Sequence, residues 1–155
     1  MFTFPFTGCI HTYFKTQDSR NCCITGLEGQ VYIDKVNAYK ECQQQDIFII
    51  ENELNLNSSI NNYFIDRIYK NAPNLVVLKD NNTNIAMNII KSNSWGDYVI
   101  FNPWVEGKKG IKGPDFDDDG YNYMLCIEPA NATTSVDVAP GTTWKGSVAM
   151  NIEYL

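Results

Sequence analysis

Three side chains of this sequence can gain or lose a proton while lying within apolar segments: His11, Asp66 and Glu128. His11 is the only histidine, and an imidazole ordinarily titrates near neutral pH. Asp66 interrupts one apolar segment, and Glu128 follows the apolar residues of another. Because burial shifts the pKa of such groups, these are side chains of the types that general acid–base catalysis uses.

Each of the three also has a structural interpretation. A single histidine usually has a structural role, and Asp66 could pair with Arg67 or with a lysine at the surface. Glu128 could mark the exposed end of a strand before Pro129. The strand alone favours that interpretation of Glu128, since charged residues usually lie outside.

The stretch that must position Glu128 is residues 121–127, Tyr-Asn-Tyr-Met-Leu-Cys-Ile. Side chains alternate between the faces of a strand, so Leu125 and Ile127 share one face while Cys126 and Glu128 share the other. Both faces are mostly apolar. The pattern predicts a strand in the centre of a sheet, covered on both sides.

Short segments of alternating or β-branched residues predict further strands at 2–14, 22–27, 31–34, 47–50, 63–69, 75–79, 84–90, 98–101, 135–138 and 144–152. The residues at 80–83, Asp-Asn-Asn-Thr, predict a hairpin turn. No segment has an apolar stripe of helical period. The sequence therefore predicts an all-β sandwich or barrel, with residues 1–155 in a single domain.

The charge and the apolar pattern restrict the possible partners. The net charge is −6, and an acidic surface argues against nucleic acids and anionic membranes. No apolar run approaches the length of a membrane span, and the first residues lack the basic region of a signal peptide. We therefore expect a cytoplasmic protein.

The cysteines and the acidic loop do not predict a metal site. The five cysteines have no Cys-x-x-Cys spacing and a single histidine beside them, so we expect reduced, mostly buried thiols, with Cys126 in the core. Asp115 to Gly120 begins like a calcium loop, but its twelfth position is Cys126, where glutamate is needed. We expect no metal and no other cofactor.

Five motifs occur in one order along the chain: His11-Thr-Tyr-Phe, Asp66-Arg-Ile-Tyr, Asp-Tyr-Val-Ile-Phe-Asn-Pro-Trp104, Met-Leu-Cys-Ile-Glu128, and Ala-Pro-Gly141 with Trp144. Together they resemble the glucose-6-phosphate 1-epimerase group, the hexose-6-phosphate mutarotases, within the galactose mutarotase-like family. Apospory-associated protein C is similar and belongs to the same group. One motif departs from the group, since Phe101 stands where a tryptophan is usual.

The resemblance implies a β-sandwich of the galactose mutarotase-like, or supersandwich, type. It implies an isomerase that interconverts the α and β anomers of a hexose or hexose 6-phosphate without a cofactor. Glu128 matches the general base, His11 the general acid, and Asp66 the carboxylate that holds sugar hydroxyls. Trp104 and Tyr13 are further candidates for contact with the sugar, although core packing would also explain them.

The resemblance reaches only the C-terminal half of the family's sandwich. In that family the His-Thr-Tyr-Phe motif lies near the middle of the chain, whereas here it begins at residue 11. The half that carries the phosphate-binding arginines is not among these residues. An inactive carbohydrate-binding or interaction module of the same fold is therefore the alternative function.

The missing half also has physical consequences. We expect exposed sheet edges and self-association through them, since unpaired edges and uncovered apolar faces favour pairing with another chain. We also expect poor affinity for a 6-phosphate. Only Arg20 and Arg67 carry guanidinium groups, and bidentate capture of phosphate favours arginine.

Overall fold

The computed structural model of the chain describes residues 2–50, 64–111 and 116–155. About half of these residues lie in strands and the helices are short, which confirms the predicted all-β class. The strands, in chain order, are β1 (Phe4–Cys9), β2 (Tyr13–Lys15), β3 (Cys22–Thr25), β4 (Val31–Asp34), β5 (Lys40–Gln43), β6 (Phe48–Ile49), β7 (Ile65–Tyr69), β8 (Leu75–Asp80), β9 (Ile85–Lys91), β10 (Asp97–Asn102), β11 (Met124–Val138) and β12 (Val148–Tyr154).

The strands form two sheets, and every pairing within them is antiparallel. The large sheet has the order β1-β11-β10-β7-β4-β5, with β2 also paired to β11. The small sheet has the order β12-β9-β8-β3-β6. The predicted hairpin at 80–83 joins β8 to β9, whose register pairs Asp80 with Ile85.

The core lies between the two sheets and is built by strands with a period of two. Its fully buried members include Ile24, Val76 and Ile89 from the small sheet and Tyr98, Ile100, Leu125 and Ile127 from the large sheet. Full burial of a Leu, Ile or Val side chain stabilises by about 1.5–3 kcal/mol relative to exposure. The alternate residues of β10 and β11 therefore face away from the core, on the outer face of the large sheet.

The strand that carries Glu128 differs from its prediction at both ends. Residues 121–123 belong to a short 3-10 helix, Gly120–Tyr123, because the buried Asn102 amide donates to the carbonyls of Tyr121 and Met124 at 3.0 and 2.9 Å. The strand then continues through Pro129 to Val138, so the predicted strand at 135–138 is its last part. It does lie inside the sheet, with β10 on one side and β1 and β2 on the other.

Other elements also differ from the predictions. The first predicted strand is interrupted at residues 10–12, β5 and the helix α1 (Trp104–Lys108) were not predicted, and β12 begins at Val148 rather than at residue 144. The predicted strand start at residue 63 and the start of the acidic loop at Asp115 lie outside the described residues. Within the described ranges, no helix is long and apolar enough to cross a membrane.

Candidate active site

Strand register places His11 opposite Glu128. Cys9 at the end of β1 pairs with Ala130, and Tyr13 at the start of β2 pairs with Cys126. Three residues lie between these pairs on each chain segment, so the middle ones, His11 and Glu128, face each other. The interruption of the strand at residues 10–12 leaves His11 outside the hydrogen-bonded ladder, where its side chain can turn towards the cleft.

His11 and Glu128 are in direct contact but differ in exposure. The His11 Nε2 atom lies 3.3 Å from the Glu128 Oε1 atom, and the side chains are 47% and 4% exposed, respectively. The imidazole stacks on Tyr13, with ring centroids 4.8 Å apart, and meets the edge of Phe101 at 6.3 Å. A buried carboxylate thus lies beside an imidazole that remains in contact with solvent.

Asp66 reaches the same face through two strand pairings. Phe101 of β10 pairs with Cys126 of β11 on one side and with Asp66 of β7 on the other. The Asp66 Oδ2 atom lies 2.6 Å from Lys35 Nζ. Its Oδ1 atom is buried and has no hydrogen-bond partner among the described residues, so it is available to accept one from a ligand.

These side chains line one open cleft on the outer face of the large sheet. Its volume is about 380 Å³, which is within the usual range for small-molecule sites. The walls come from β1, β7, β10 and β11 and from the residues that follow β1 and β4. They are formed by Thr7, Gly8, Cys9, His11, Lys35, Asp66, Ile68, Val99, Phe101, Glu128, Asn131 and Ala132. His11, Asp66 and Glu128, which are far apart in sequence, are therefore brought together.

Burial raises the pKa of one carboxyl and one thiol group in the cleft wall, those of Glu128 and Cys9. Burial raises the pKa of Glu128, and the charge of Asp66 adds to this rise. A hydrogen bond with Cys9 and the charges of His11 and Lys35 oppose it. Cys9 is exposed as a whole residue, but partial burial of its thiol and then its contacts with Glu128 raise its pKa to about 11. Glu128 is consequently a stronger base than an exposed glutamate, and Cys9 stays a thiol at neutral pH.

Two predicted sugar contacts do not line this cleft. Trp104 begins α1 and packs against the edge of Tyr121, with ring centroids 5.1 Å apart. The Tyr13 ring stacks on the His11 imidazole, but Tyr13 does not line the cleft. The position of Tyr13 allows it to orient the imidazole, whereas Trp104 has a packing role.

The sequence did not single out Lys35, Cys9 and Asn131, which line the cleft. Lys35 directly follows β4, and its backbone N–H donates to the Asp66 carbonyl at 2.9 Å. No local pattern in the sequence indicates this contact between distant residues. Cys9 is exposed, so the expectation of mostly buried thiols is wrong for this residue, whereas Cys22 and Cys126 are buried. All five cysteines are free thiols.

Comparison with known proteins agrees with the motifs. The family described as Aldose 1-epimerase matches residues 2–151. A protein of Cenchrus ciliaris provisionally named glucose-6-phosphate 1-epimerase is 29% identical over 149 residues, which cover 96% of this chain and 41% of that protein. A protein of Escherichia coli K12 with the same provisional name is 30% identical over 138 residues, covering 87% of this chain and 41% of that protein.

A solved structure shows the same fold. The crystal structure of a Salmonella typhimurium protein provisionally named a mutarotase superposes with a TM-score of 0.82 at 24% identity. The match covers 100% of this chain and 48% of that one. The predicted galactose mutarotase-like β-sandwich is thereby confirmed. The chain spans less than half the length of the relatives that it matches.

Proposed function

The chain belongs to the aldose 1-epimerase family, and we propose that it interconverts the α and β anomers of a hexose or hexose 6-phosphate. The observation that carries this proposal is the contact between His11 and Glu128, at 3.3 Å, in a cleft that Asp66 also lines. Anomer exchange needs a proton removed at one oxygen of the anomeric carbon and a proton added at the other. A base and an acid that lie side by side suit two oxygens bonded to the same carbon.

In the proposed reaction, Glu128 takes the proton of the C1 hydroxyl while protonated His11 gives a proton to the ring oxygen. The bond between C1 and the ring oxygen breaks, and the C1–O1 bond becomes the carbonyl of the open-chain aldehyde. Rotation about C1–C2 turns the other face of the carbonyl towards the C5 hydroxyl. Ring closure then returns both protons, so the protein ends the cycle unchanged.

The difference in exposure supports these roles. Burial and the charge of Asp66 raise the pKa of Glu128, so this carboxylate binds a proton more strongly than an ordinary one. His11 is half exposed and can recover a proton from solvent. The free Oδ1 atom of Asp66 is placed to accept a hydrogen bond from a sugar hydroxyl.

The charges of the cleft support a neutral sugar better than a phosphate. Lys35 is the single lysine or arginine that lines it among the described residues, and its ammonium group is paired with Asp66. Bidentate capture of phosphate is characteristic of arginine. We therefore expect this chain to bind glucose at least as well as glucose 6-phosphate, which titration with the two sugars would test.

Exchange spectroscopy by NMR tests the activity directly. Exchange between the α and β anomeric signals of glucose, and of glucose 6-phosphate, is measured with and without the protein. Acceleration that is proportional to protein concentration supports the isomerase, and its absence with both sugars contradicts it.

The alternative is a sugar-binding or interaction module without catalysis. The observation in its favour is length, because the chain spans only 41% of the Cenchrus relative. Binding of a hexose at the cleft, detected by shifts of the His11 and Asn131 NMR signals, with no acceleration of exchange would support this alternative.

A further inference from the structure

The thiol of Cys126 is buried next to Glu128 and His11, behind the residues that line the cleft, and the proposed reaction does not use it. One ligand atom from each of the three residues, an imidazole nitrogen, a thiol sulfur and a carboxylate oxygen, lies within 4.8 Å of the other two. Cys126 and Glu128 are both buried and occupy alternate positions of β11, so their side chains point to the same face. His11 closes the group from the opposite segment.

These donor atoms match one class of metal ion. Zinc binds thiolate, imidazole and carboxylate in tetrahedral geometry, whereas calcium and magnesium require oxygen ligands. Metal–ligand distances of 2.0–2.3 Å place neighbouring ligand atoms of a tetrahedron about 3.6 Å apart. The group must therefore contract by roughly 1 Å at its widest separation. The His11 side chain is half exposed and lies outside the strand ladder, so it is the ligand that would make that movement.

We propose that His11, Cys126 and Glu128 form an inhibitory Zn²⁺ site that excludes the sugar from the cleft. Binding replaces the thiol proton of Cys126 by the metal ion and uses the imidazole nitrogen and the carboxylate oxygen as the other two protein ligands. A fourth position would remain for water. The bound ion would hold the atoms of His11 and Glu128 that exchange protons with the sugar. Because these groups could then neither give nor take a proton, anomer exchange would stop.

The surroundings of the three ligands favour a defined site. Cys9 is hydrogen-bonded to Glu128 and so holds the carboxylate from outside the ligand set, as outer-shell partners do in metal sites. Tyr13 stacks on the imidazole and limits its rotation.

The binding test uses the full chain and does not depend on activity. Co²⁺ is added to the reduced protein as a spectroscopic substitute, and a thiolate-to-Co²⁺ charge-transfer band is expected at one equivalent. Zn²⁺ should abolish the band, and competition with a chromophoric chelator gives its affinity. Cys126→Ser should remove the band and weaken Zn²⁺ binding by more than the roughly 10–100-fold that the loss of an outer-shell partner costs.

Two further variants keep the test decisive. Cys42→Ser, at a half-buried thiol on β5 that does not line the cleft, should keep the band and the affinity. His11→Ala changes a half-exposed side chain, so it should fold even if Cys126→Ser does not, and it should also weaken Zn²⁺ binding. The absence of a band, or a band that persists in Cys126→Ser, would overturn the proposal.

The inhibitory part rests on the proposed function and is measured separately. Zn²⁺ at saturating concentration should stop anomer exchange in the unaltered protein, and removal of the ion with a chelator should restore it. If exchange is fast and Zn²⁺ bound at this site leaves it unchanged, inhibition is refuted. If no exchange is ever seen but the Cys126-dependent band is present, the metal site is supported and the isomerase is contradicted.

Discussion

Glu128→Gln separates the catalytic role of the carboxylate from its structural role. Glutamine has nearly the same shape as glutamate, so it fills the same buried space on β11. Its amide oxygen can still accept a hydrogen bond from His11 or Cys9. What it loses is the ability to take a proton from the C1 hydroxyl.

The expected loss of activity is large. A positioned general base accelerates a reaction by roughly 10²–10⁴-fold, which corresponds to about 3–5 kcal/mol in the activation free energy. The rate of anomer exchange at neutral pH should fall by that factor. The affinity for the sugar should change little, because the side chain remains in place.

The same substitution should not lower the unfolding free energy. Burial raises the pKa of Glu128, so the folded state holds this proton more tightly than the unfolded state. The unfolding free energy of the unaltered protein should therefore decrease as the pH rises from the ordinary glutamate range through the raised pKa. Glu128→Gln carries no charge, so it should lack that decrease and be at least as stable at neutral pH.

Exchange NMR and urea unfolding at several pH values measure the two effects. Glu153→Gln is the matched control, because Glu153 is exposed on β12 and its Oε1 atom accepts from Asn88 at 2.8 Å. This control should keep the activity and the pH dependence of unfolding. Unchanged turnover in Glu128→Gln would refute the role of base, and a large loss of stability would refute the account of a costly buried charge.

Three further predictions follow from individual contacts. Lys35→Met removes a cation that lowers the pKa of Glu128 and that pairs with Asp66. The pKa of Glu128 should therefore rise, and the acidic limb of the kcat/KM profile should move to higher pH; an unmoved limb would contradict this. Asn102→Leu removes three hydrogen bonds made by a buried amide, to Tyr121 and Met124 and from the Trp104 N–H, and should cost about 2–4 kcal/mol in urea unfolding. Light scattering at micromolar concentration should show self-association, because β1 and β12 are sheet edges with exposed apolar side chains; a soluble monomer would be evidence against it.

The sequence predicted the inner and outer faces of the central strands because period-two patterning depends only on neighbouring residues. Leu125 and Ile127 are buried in the core as that pattern requires. The extent of β11 could not be predicted in the same way. Proline ordinarily argues against a central strand, but here the Pro129 carbonyl accepts from the Ile10 N–H at 3.0 Å and the strand continues.

The residues of the candidate site could be proposed from the sequence, but their individual contacts could not. The motifs indicated His11, Asp66 and Glu128, whereas their approach depends on the pairing of β1 and β2 with β11 and of β7 with β10. Such long-range pairing leaves no local mark in the sequence. Lys35 shows the limit most clearly, since only the pairing of β4 with β7 brings it to Asp66.

Glu128 and His11, the proposed base and acid, are in contact but lie in different surroundings. Glu128 is fixed in a strand with neighbours on both sides, so its environment is rigid and its raised pKa is a property of the fold. His11 lies in the three-residue interruption between β1 and β2, outside the ladder, and its side chain is half exposed. In the proposed reaction, the break between β1 and β2 gives His11 the contact with solvent through which it recovers its proton. At the proposed zinc site, the same exposed position would let a metal ion draw His11 towards Cys126, so the proposed inhibition and the proposed proton exchange depend on one side chain.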